Sequence, residues 1–221
     1  MVGRESQLTF AFWLRPKKSF AMMYFRFYAR DYITFIKIKA LPSLMRLFIA
    51  IDLPLQVKDV VSRFEKELSM FKLRFVKPEH MHITLTFLGD IEDVDAIKQR
   101  LGKIRFSPFK LKIYAYGFFP STKKIRVIWI GLEHNEEFIN LQHDIRELFD
   151  NKEKFMPHIT IARAREIIIR EAEQLNYATK KISYEPIEFV VDKFVLYNSD
   201  LTPQGPIHTI LEEYDAVALH V

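Results

Sequence analysis

The chain has 221 residues, of which 49% are hydrophobic and none is cysteine. This length is enough to bury a full core, in one domain or in two small ones. The lack of cysteine excludes disulfides, thiolate zinc sites and cysteine nucleophiles, and it fits a reducing compartment, so we expect a cytoplasmic protein. No apolar run approaches the roughly 18 residues that a membrane helix needs.

Positive charge is concentrated at the N-terminus. The formal net charge is +5, from 33 basic and 28 acidic residues. Residues 1–44 contain eight basic and two acidic residues, a net +6, which leaves 25 basic and 26 acidic residues, a net −1, for residues 45–221. The larger part of the chain is not basic overall, so any affinity for phosphate there must come from a local patch.

Residues 1–44 are rich in aromatic and basic side chains but show no convincing strand or helix period. Their longest apolar run, residues 8–14, is too short and poorly placed for a signal peptide. Three interpretations stay open: an upstream start codon chosen in error, which we favour, a basic appendage for RNA or a partner, and a targeting segment. We expect residues 1–44 to be an extension and residues 45–221 to form the functional domain.

From residue 45 onward the pattern alternates strands with helices. A strand at 47–51 leads to a helix start at Asp52 and Pro54, with an apolar stripe from Val57 to Phe71. A second strand ends at Gly89 and Asp90, and Asp93 caps a second helix. Further strands are predicted at 111–119, 126–132, 187–196 and 207–214, and further helices at 135–149 and 165–177.

One short motif occurs twice, as His82-Ile83-Thr84-Leu85 and as His158-Ile159-Thr160-Ile161. Each copy follows a proline and lies in a β-branched run, so it predicts a strand in which His and Thr share a face. Two such pairs can serve the two sides of one phosphorus atom. We therefore expect an α+β, bilobal fold. Two pseudo-symmetric lobes, each with a mainly antiparallel sheet and flanking helices, would place the histidines across a central cleft.

The segments 46–54, 75–89, 157–163 and 201–206 resemble the RNA 2′,3′-cyclic phosphodiesterases, also called 2′-5′ RNA ligases, of the two-histidine phosphoesterase superfamily. The resemblance spans residues 45–221. It implies a monomer without metal or cofactor that hydrolyses RNA or oligonucleotide 2′,3′-cyclic phosphate ends to 2′-phosphates, with reverse 2′-5′ ligation of tRNA halves as a secondary activity. By matching positions, it makes His82 the proton donor and His158 the proton acceptor, and Thr84, Thr160 and Arg163 the phosphate-binding residues.

Two opposed histidines suit this chemistry, because an imidazole titrates near pH 6.5 and one ring can be charged while the other is neutral. Two alternatives stay open: a noncatalytic module that binds RNA ends, and a cyclic phosphodiesterase for a small nucleotide such as ADP-ribose cyclic phosphate. A two-histidine metal site is the main chemical rival. Neither motif has a third ligand at helical or strand spacing, which argues against it.

Arg163 differs from the other candidate residues in its position along the strand. By strand alternation it falls out of phase with His158 and Thr160, so it reaches the phosphate only if the strand twists or ends near Ala162. Among the other histidines, His80 is assigned a surface role. His208 stands where the family more often has an aromatic residue, and the sequence gives no catalytic role to His134, His143, His208 or His220.

Overall fold

The computed structural model of the chain describes residues 23–29, 32–38, 44–151, 156–165, 167–203 and 205–217. The chain divides into two compact units, Met1–Ser43 and Leu44–Val221. In the first unit, β1 (Met23–Ala29) and β2 (Tyr32–Ile38) pair antiparallel. These strands correct the sequence analysis, which found no convincing strand period here: aromatic residues in β1, and aromatic and β-branched residues in β2, favour strands without producing a period of two. The apolar run 8–14 lies outside the described residues.

In the second unit, nine strands form one antiparallel sheet in the order β11-β10-β3-β5-β8-β7-β6-β9, with β4 beside β8. The elements in chain order are β3 (Met45–Asp52), α1 (Leu55–Glu67), β4 (Leu73–Phe75), a 3₁₀ turn (Pro78–His80), β5 (His82–Ile91), α2 (Val94–Leu101), β6 (Phe109–Ser121), β7 (Lys124–Leu132), α3 (Glu136–Glu147), β8 (His158–Ala164), α4 (Ile169–Lys180), β9 (Ile187–Val191), β10 (Lys193–Thr202) and β11 (Gly205–Asp215). The predicted α+β class is confirmed.

The helices begin where the sequence supplies caps, and they cover one face of the sheet. The Asp93 carboxylate accepts a hydrogen bond from the Ala96 N–H at 2.9 Å, and the Asn135 side-chain oxygen accepts one from the Phe138 N–H at 2.7 Å. Apolar side chains of all four helices are buried in one core with Ile83 and Ile159 of the sheet. Because strand residues alternate between faces, the neighbours of these two isoleucines lie on the face that the helices leave uncovered.

The two lobes of the prediction are two halves of this sheet. One half contains β11, β10, β3 and β5, the other contains β8, β7, β6 and β9, and β5 pairs with β8 only through Ile83 and Ile159. Each half is antiparallel, as expected, and the narrow junction makes the two sheets continuous. Within the part of the chain that the structure describes, no helix is long and apolar enough to cross a membrane.

Three elements differ from the sequence prediction. The strand expected at 187–196 is two strands that separate at Asp192, because β9 pairs with β6 in one half while β10 pairs with β3 in the other. Helix α4 begins at Ile169 rather than at residue 165, since β8 extends to Ala164 and the Glu171 carboxylate accepts from the Ile168 N–H at 3.4 Å. Strand β4 was missed because three residues are too few to show a period.

Gly117 leaves space for a tryptophan on the uncovered face. It pairs with Trp129 across β6 and β7, and a Cβ atom at Gly117 would overlap the Trp129 ring. The indole therefore lies flat against bare backbone, where no larger residue fits. Trp129 in turn pairs with Thr160 of the second motif, so this glycine helps to shape the surroundings of that motif.

We predict that Gly117→Ala destabilises the protein by about 1–3 kcal/mol, the usual cost of forcing an extra group into a packed region. Thermal unfolding measures the effect. Gly102→Ala is the matched control, because Gly102 has right-handed helical angles and its added Cβ would have its nearest neighbour at 3.4 Å. Equal melting temperatures for Gly117→Ala and the unsubstituted protein would show that Trp129 does not need the bare backbone.

Candidate active site

Both motifs meet at the junction of the two half-sheets. Ile83 and Ile159 are opposite each other in antiparallel strands, and both are fully buried on the core side. Counting outward from this pair, His82 comes opposite Thr160 and Thr84 comes opposite His158. All four side chains then lie on the uncovered face, related by an approximate two-fold axis through the isoleucine pair. The predicted sharing of a face by each His and Thr agrees with this register.

A β-bulge follows each motif threonine. Ala50 pairs with Thr84 and Ile49 pairs with Thr86, so β5 has one extra residue, Leu85, relative to β3. Likewise, Trp129 pairs with Thr160 and Ile128 pairs with Ala162, so β8 has one extra residue, Ile161, relative to β7. The two bulges occupy equivalent positions in the repeat, and each shifts the alternation of its strand by one residue.

The second bulge brings Arg163 back into phase with His158 and Thr160. Ala162 and Ala164 are buried whereas Arg163 is exposed, so Arg163 shares the uncovered face. The Arg163 charge also contributes to lowering the pKa of His158, which places the guanidinium near that imidazole. Of the two conditions predicted for Arg163, a strand that twists or one that ends near Ala162, the second does not occur, because β8 continues to Ala164 and the bulge restores the phase.

Each motif imidazole is held by the same kind of hydrogen bond. Nδ1 of His82 lies 2.8 Å from the carbonyl oxygen of His80, and Nδ1 of His158 lies 2.7 Å from that of Met156. A carbonyl can only accept, so Nδ1 carries the hydrogen in both rings. In the neutral state the basic lone pair is therefore on Nε2 of each ring, which is the nitrogen left for proton transfer.

Burial lowers the pKa of both imidazoles in the free protein. It lowers the pKa of His82 from its ordinary value near 6.5 to about 4; His208 adds to the lowering, while the His80 carbonyl and Asp52 oppose it. Burial also lowers the pKa of His158, the Met156 carbonyl opposes this, and Arg163 adds to it. The His158 charge contributes to the lowering at His82 as well, so the two rings are close enough to interact.

Aromatic rings form the walls around each histidine, from the strands of its own half-sheet. The His82 ring lies 4.8 Å from that of Phe48 and 6.2 Å from that of Tyr197. The His158 ring lies 5.0 Å from that of Phe119 and 6.3 Å from that of Trp129. These rings exclude water from the imidazoles, which is the physical origin of their lowered pKa values.

Two further histidines, for which no role in the site was predicted, lie beside His82. The His208 ring on β11 lies 5.4 Å from the His82 ring at 90°, and the His80 ring lies 5.3 Å from that of His208. His208 also packs edge-on against Phe48 at 4.9 Å. Its position could not be read from the chain, since the strand that carries it pairs only with β10 and curves toward β5 through tertiary structure.

Two buried polar atoms flank the motif histidines. Nδ1 of His208 and Nε1 of Trp129 have no hydrogen-bond partner among the described residues. Unsatisfied buried groups are uncommon in folded proteins, and a bound water or ion is one way in which such a group is completed. In the part of the chain that is described, no group of three or more His, Asp and Glu side chains is arranged to hold a metal ion.

Comparison with known proteins gives the family. The description of the matching family model is LigT-like phosphoesterase, and it matches twice, at residues 51–129 and 130–208, so that each match contains one copy of the motif. An RNA 2′,3′-cyclic phosphodiesterase of Methanocaldococcus jannaschii is 34% identical over 178 residues, which cover 77% of this chain and 100% of that protein. One of Thermotoga maritima is 36% identical over 180 residues, which cover 76% and 94%.

Solved structures agree with this match. The protein TT0787 of Thermus thermophilus superposes with a TM-score of 0.61 at 28% identity, covering 77% of this chain and 97% of that one. Escherichia coli LigT complexed with phosphate gives a TM-score of 0.60 at 26% identity, covering 79% and 98%. By sequence and by fold, the chain belongs to the LigT-like phosphoesterase family.

Proposed function

We propose that the protein hydrolyses RNA 2′,3′-cyclic phosphate ends to 2′-phosphate ends without a metal ion, with His82 and His158 as acid and base. The observation that carries the proposal is the pairing of two His-x-Thr motifs about Ile83 and Ile159, with both rings fixed through Nδ1. The names of the Methanocaldococcus and Thermotoga relatives support the same substrate.

In the proposed reaction, Nε2 of His158 accepts a proton from water as the water oxygen attacks phosphorus. The bond from phosphorus to the ribose 3′ oxygen breaks, and Nε2 of His82 donates a proton to that oxygen. Thr84, Thr160 and Arg163 donate hydrogen bonds to the nonbridging oxygens, on which charge increases in the transition state. A 5′-hydroxyl in place of water would run the same proton transfers toward 2′-5′ ligation.

Neighbouring charges favour this choice of acid and base. Asp52 pairs with His82 across β3 and β5, and its carboxylate favours the protonated ring, whereas Arg163 favours neutral His158. In the free protein, burial and His208 outweigh Asp52, so the pKa of His82 is below neutrality. A bound phosphodiester anion would raise the pKa of both rings, and the carboxylate then selects His82 as the one that carries the proton.

The proposal is tested with a dinucleotide that ends in a 2′,3′-cyclic phosphate, incubated with the protein in EDTA. We expect turnover to a 2′-phosphate, identified by phosphorus NMR. Binding without turnover would indicate a recognition module. Restoration of turnover by an added divalent metal would contradict metal independence, and a 3′-phosphate product would contradict the assignment of the leaving oxygen.

His82→Ala and His158→Ala should each lower kcat by about 10²- to 10⁴-fold, the usual contribution of a general acid or base. The double variant should be little worse than either single one, because both rings act in one step. Steady-state kinetics on the dinucleotide measure this. His143→Ala, on an exposed position of α3, is the control. Near-normal turnover of either motif variant would refute the two-histidine mechanism.

Arg163→Ala should lower kcat/KM by roughly 10- to 100-fold through lost stabilisation of phosphoryl charge. It should also raise the pKa of His158, because the Arg163 charge lowers it. Arg163→Lys should restore the pKa of His158, and it should restore kcat/KM only if the guanidinium fork is not required. Kinetics and an NMR titration of the imidazole report the two effects. An unchanged kcat/KM and an unchanged pKa of His158 in Arg163→Ala would show that Arg163 does not act in the site. The control variant is Arg63→Ala, at an exposed position of α1.

His208→Gln should raise the pKa of His82, since it removes a neighbouring positive charge while keeping a polar side chain. An NMR titration of the imidazole nitrogens measures the shift from about 4. The control is His134→Gln, whose ring lies 3.6 Å from Glu136 on an exposed surface. If His208→Gln lowers the pKa of His82 or leaves it unchanged, the histidine pair does not interact as the ring distance indicates.

A further inference from the structure

A row of cations crosses three adjacent strands at one end of the active-site face. Arg74 of β4 pairs directly with Arg163 of β8, and Arg163 pairs on its other side with Val127 of β7. Val127 pairs with Phe119 and Ile125 pairs with Pro120, so Arg126 is the extra residue of a bulge in β7. Ile125 is buried in the core, whereas Lys124 and Arg126 are exposed. We call the set that follows the cationic strip: Arg74, Lys123, Lys124, Arg126, Arg163 and Arg170.

Arg74 and Arg163 therefore carry like charges on directly opposed positions of two strands. Arg74 also reaches toward the β10–β11 turn, where its Nη2 lies 2.7 Å from the point that a Cβ of Gly205 would occupy. Gly205 has a φ of +130°, a conformation that suits glycine. The glycine therefore leaves room for a guanidinium at the edge of the active-site face.

Several lysines elsewhere on the domain pair with carboxylates. Nζ of Lys110 lies 2.7 Å from Glu188, that of Lys193 lies 3.0 Å from Glu213, and that of Lys112 lies 3.2 Å from Glu133. Five members of the strip have no carboxylate within 4.0 Å among the described residues, namely Lys123, Lys124, Arg126, Arg163 and Arg170. Their positive charge is therefore available to a polyanion.

The strip ends in an open groove with an apolar floor. The groove has a volume of about 680 Å³ and is lined by Lys123, Lys124 and the segment from Ile167 to Arg170. Ile168 is 66% exposed and Ile169 is 68% exposed, although both are large and apolar. Cations that contact phosphates, next to apolar surface against which bases pack, are the usual combination in sites for single-stranded nucleic acid.

The opposite end of the active-site face differs in charge. There β5 leads past Phe87 to Asp90, which pairs with Arg46 at 3.3 Å. A second cavity next to Phe87, of about 690 Å³, is lined by Glu147 and Asp150 as well as by Arg100. This end carries charges of both signs, so a polyanion is attracted to the end with the strip.

We propose that the cationic strip binds the backbone phosphates of single-stranded RNA just upstream of the reacting end, so that the RNA leaves the active site across β8 and β7 toward the groove at the start of α4. This inference rests on the proposed function, because it assigns the direction in which the same RNA substrate runs across the protein. It also identifies the local basic patch that a domain of net charge −1 needs in order to bind RNA.

The test is the double charge reversal Lys123→Glu with Lys124→Glu, in a His158→Ala background that prevents turnover. Fluorescence anisotropy measures the Kd of a 5′-labelled RNA decamer and of a dinucleotide, both ending in a 2′,3′-cyclic phosphate, at several salt concentrations. In the matched control, Lys180 and Lys181 are both replaced by Glu, which gives the same change in net charge. These two adjacent lysines are exposed and lie at the far end of α4. If the charge reversal lowers the melting temperature, the double variant Lys123→Gln with Lys124→Gln replaces it in the binding measurements.

We expect the strip variant to weaken decamer binding far more than dinucleotide binding, and to reduce the slope of log Kd against log salt by about 1.4, or roughly 0.7 for each lost phosphate contact. The Lys180 and Lys181 variant should bind the decamer like its parent. Equal losses of decamer affinity in the two variants would contradict the proposed role of the cationic strip. Equal losses of affinity for decamer and dinucleotide in the strip variant would also contradict it. If the unsubstituted protein fails to hydrolyse the dinucleotide, the proposed reaction is wrong, while the binding comparison still decides the path of the RNA.

Discussion

The pairing of Ile83 with Ile159 fixes everything else in the site. Both side chains are fully buried, and each such burial contributes about 1.5–3 kcal/mol. A slip of one residue would expose the isoleucines and bury the motif histidines and threonines without partners, so the hydrophobic effect alone holds the register. Two imidazoles and two hydroxyls are thereby set opposite one another on the uncovered face, before any polar interaction is considered.

Equivalent bulges then place chemically different side chains in the two halves. The position five residues after the motif histidine is Arg163 in one half and Phe87 in the other, and the bulges bring both into phase with their histidines. Phe87 is 54% exposed, and its ring lies 6.0 Å from that of Phe48. At this position, one half of the approximately symmetric frame carries a cation and the other carries an aromatic ring.

The same burial that prepares the histidines ties stability to pH. A neutral His82 is favoured in the folded state because its pKa is lowered to about 4. The stability it contributes is complete above the ordinary pKa near 6.5, declines as the pH falls, and is lost once the pH passes below about 4. The burial that lowers the pKa of His82 therefore also makes the domain sensitive to acid.

The sequence by itself determined the class of fold, most helices and strands, and the two motifs, because each depends on local periodicity and capping by residues such as Asp93 and Asn135. It also identified His82, His158, Thr84 and Thr160 as one candidate site, since the same pattern occurs twice. Three features were decided only by the tertiary structure. The break at Asp192 depends on which neighbour each strand pairs with, and the phase of Arg163 depends on a bulge that only the register with β7 reveals. His208 reaches His82 through the order of strands β11, β10, β3 and β5, and no spacing along the chain encodes that distance.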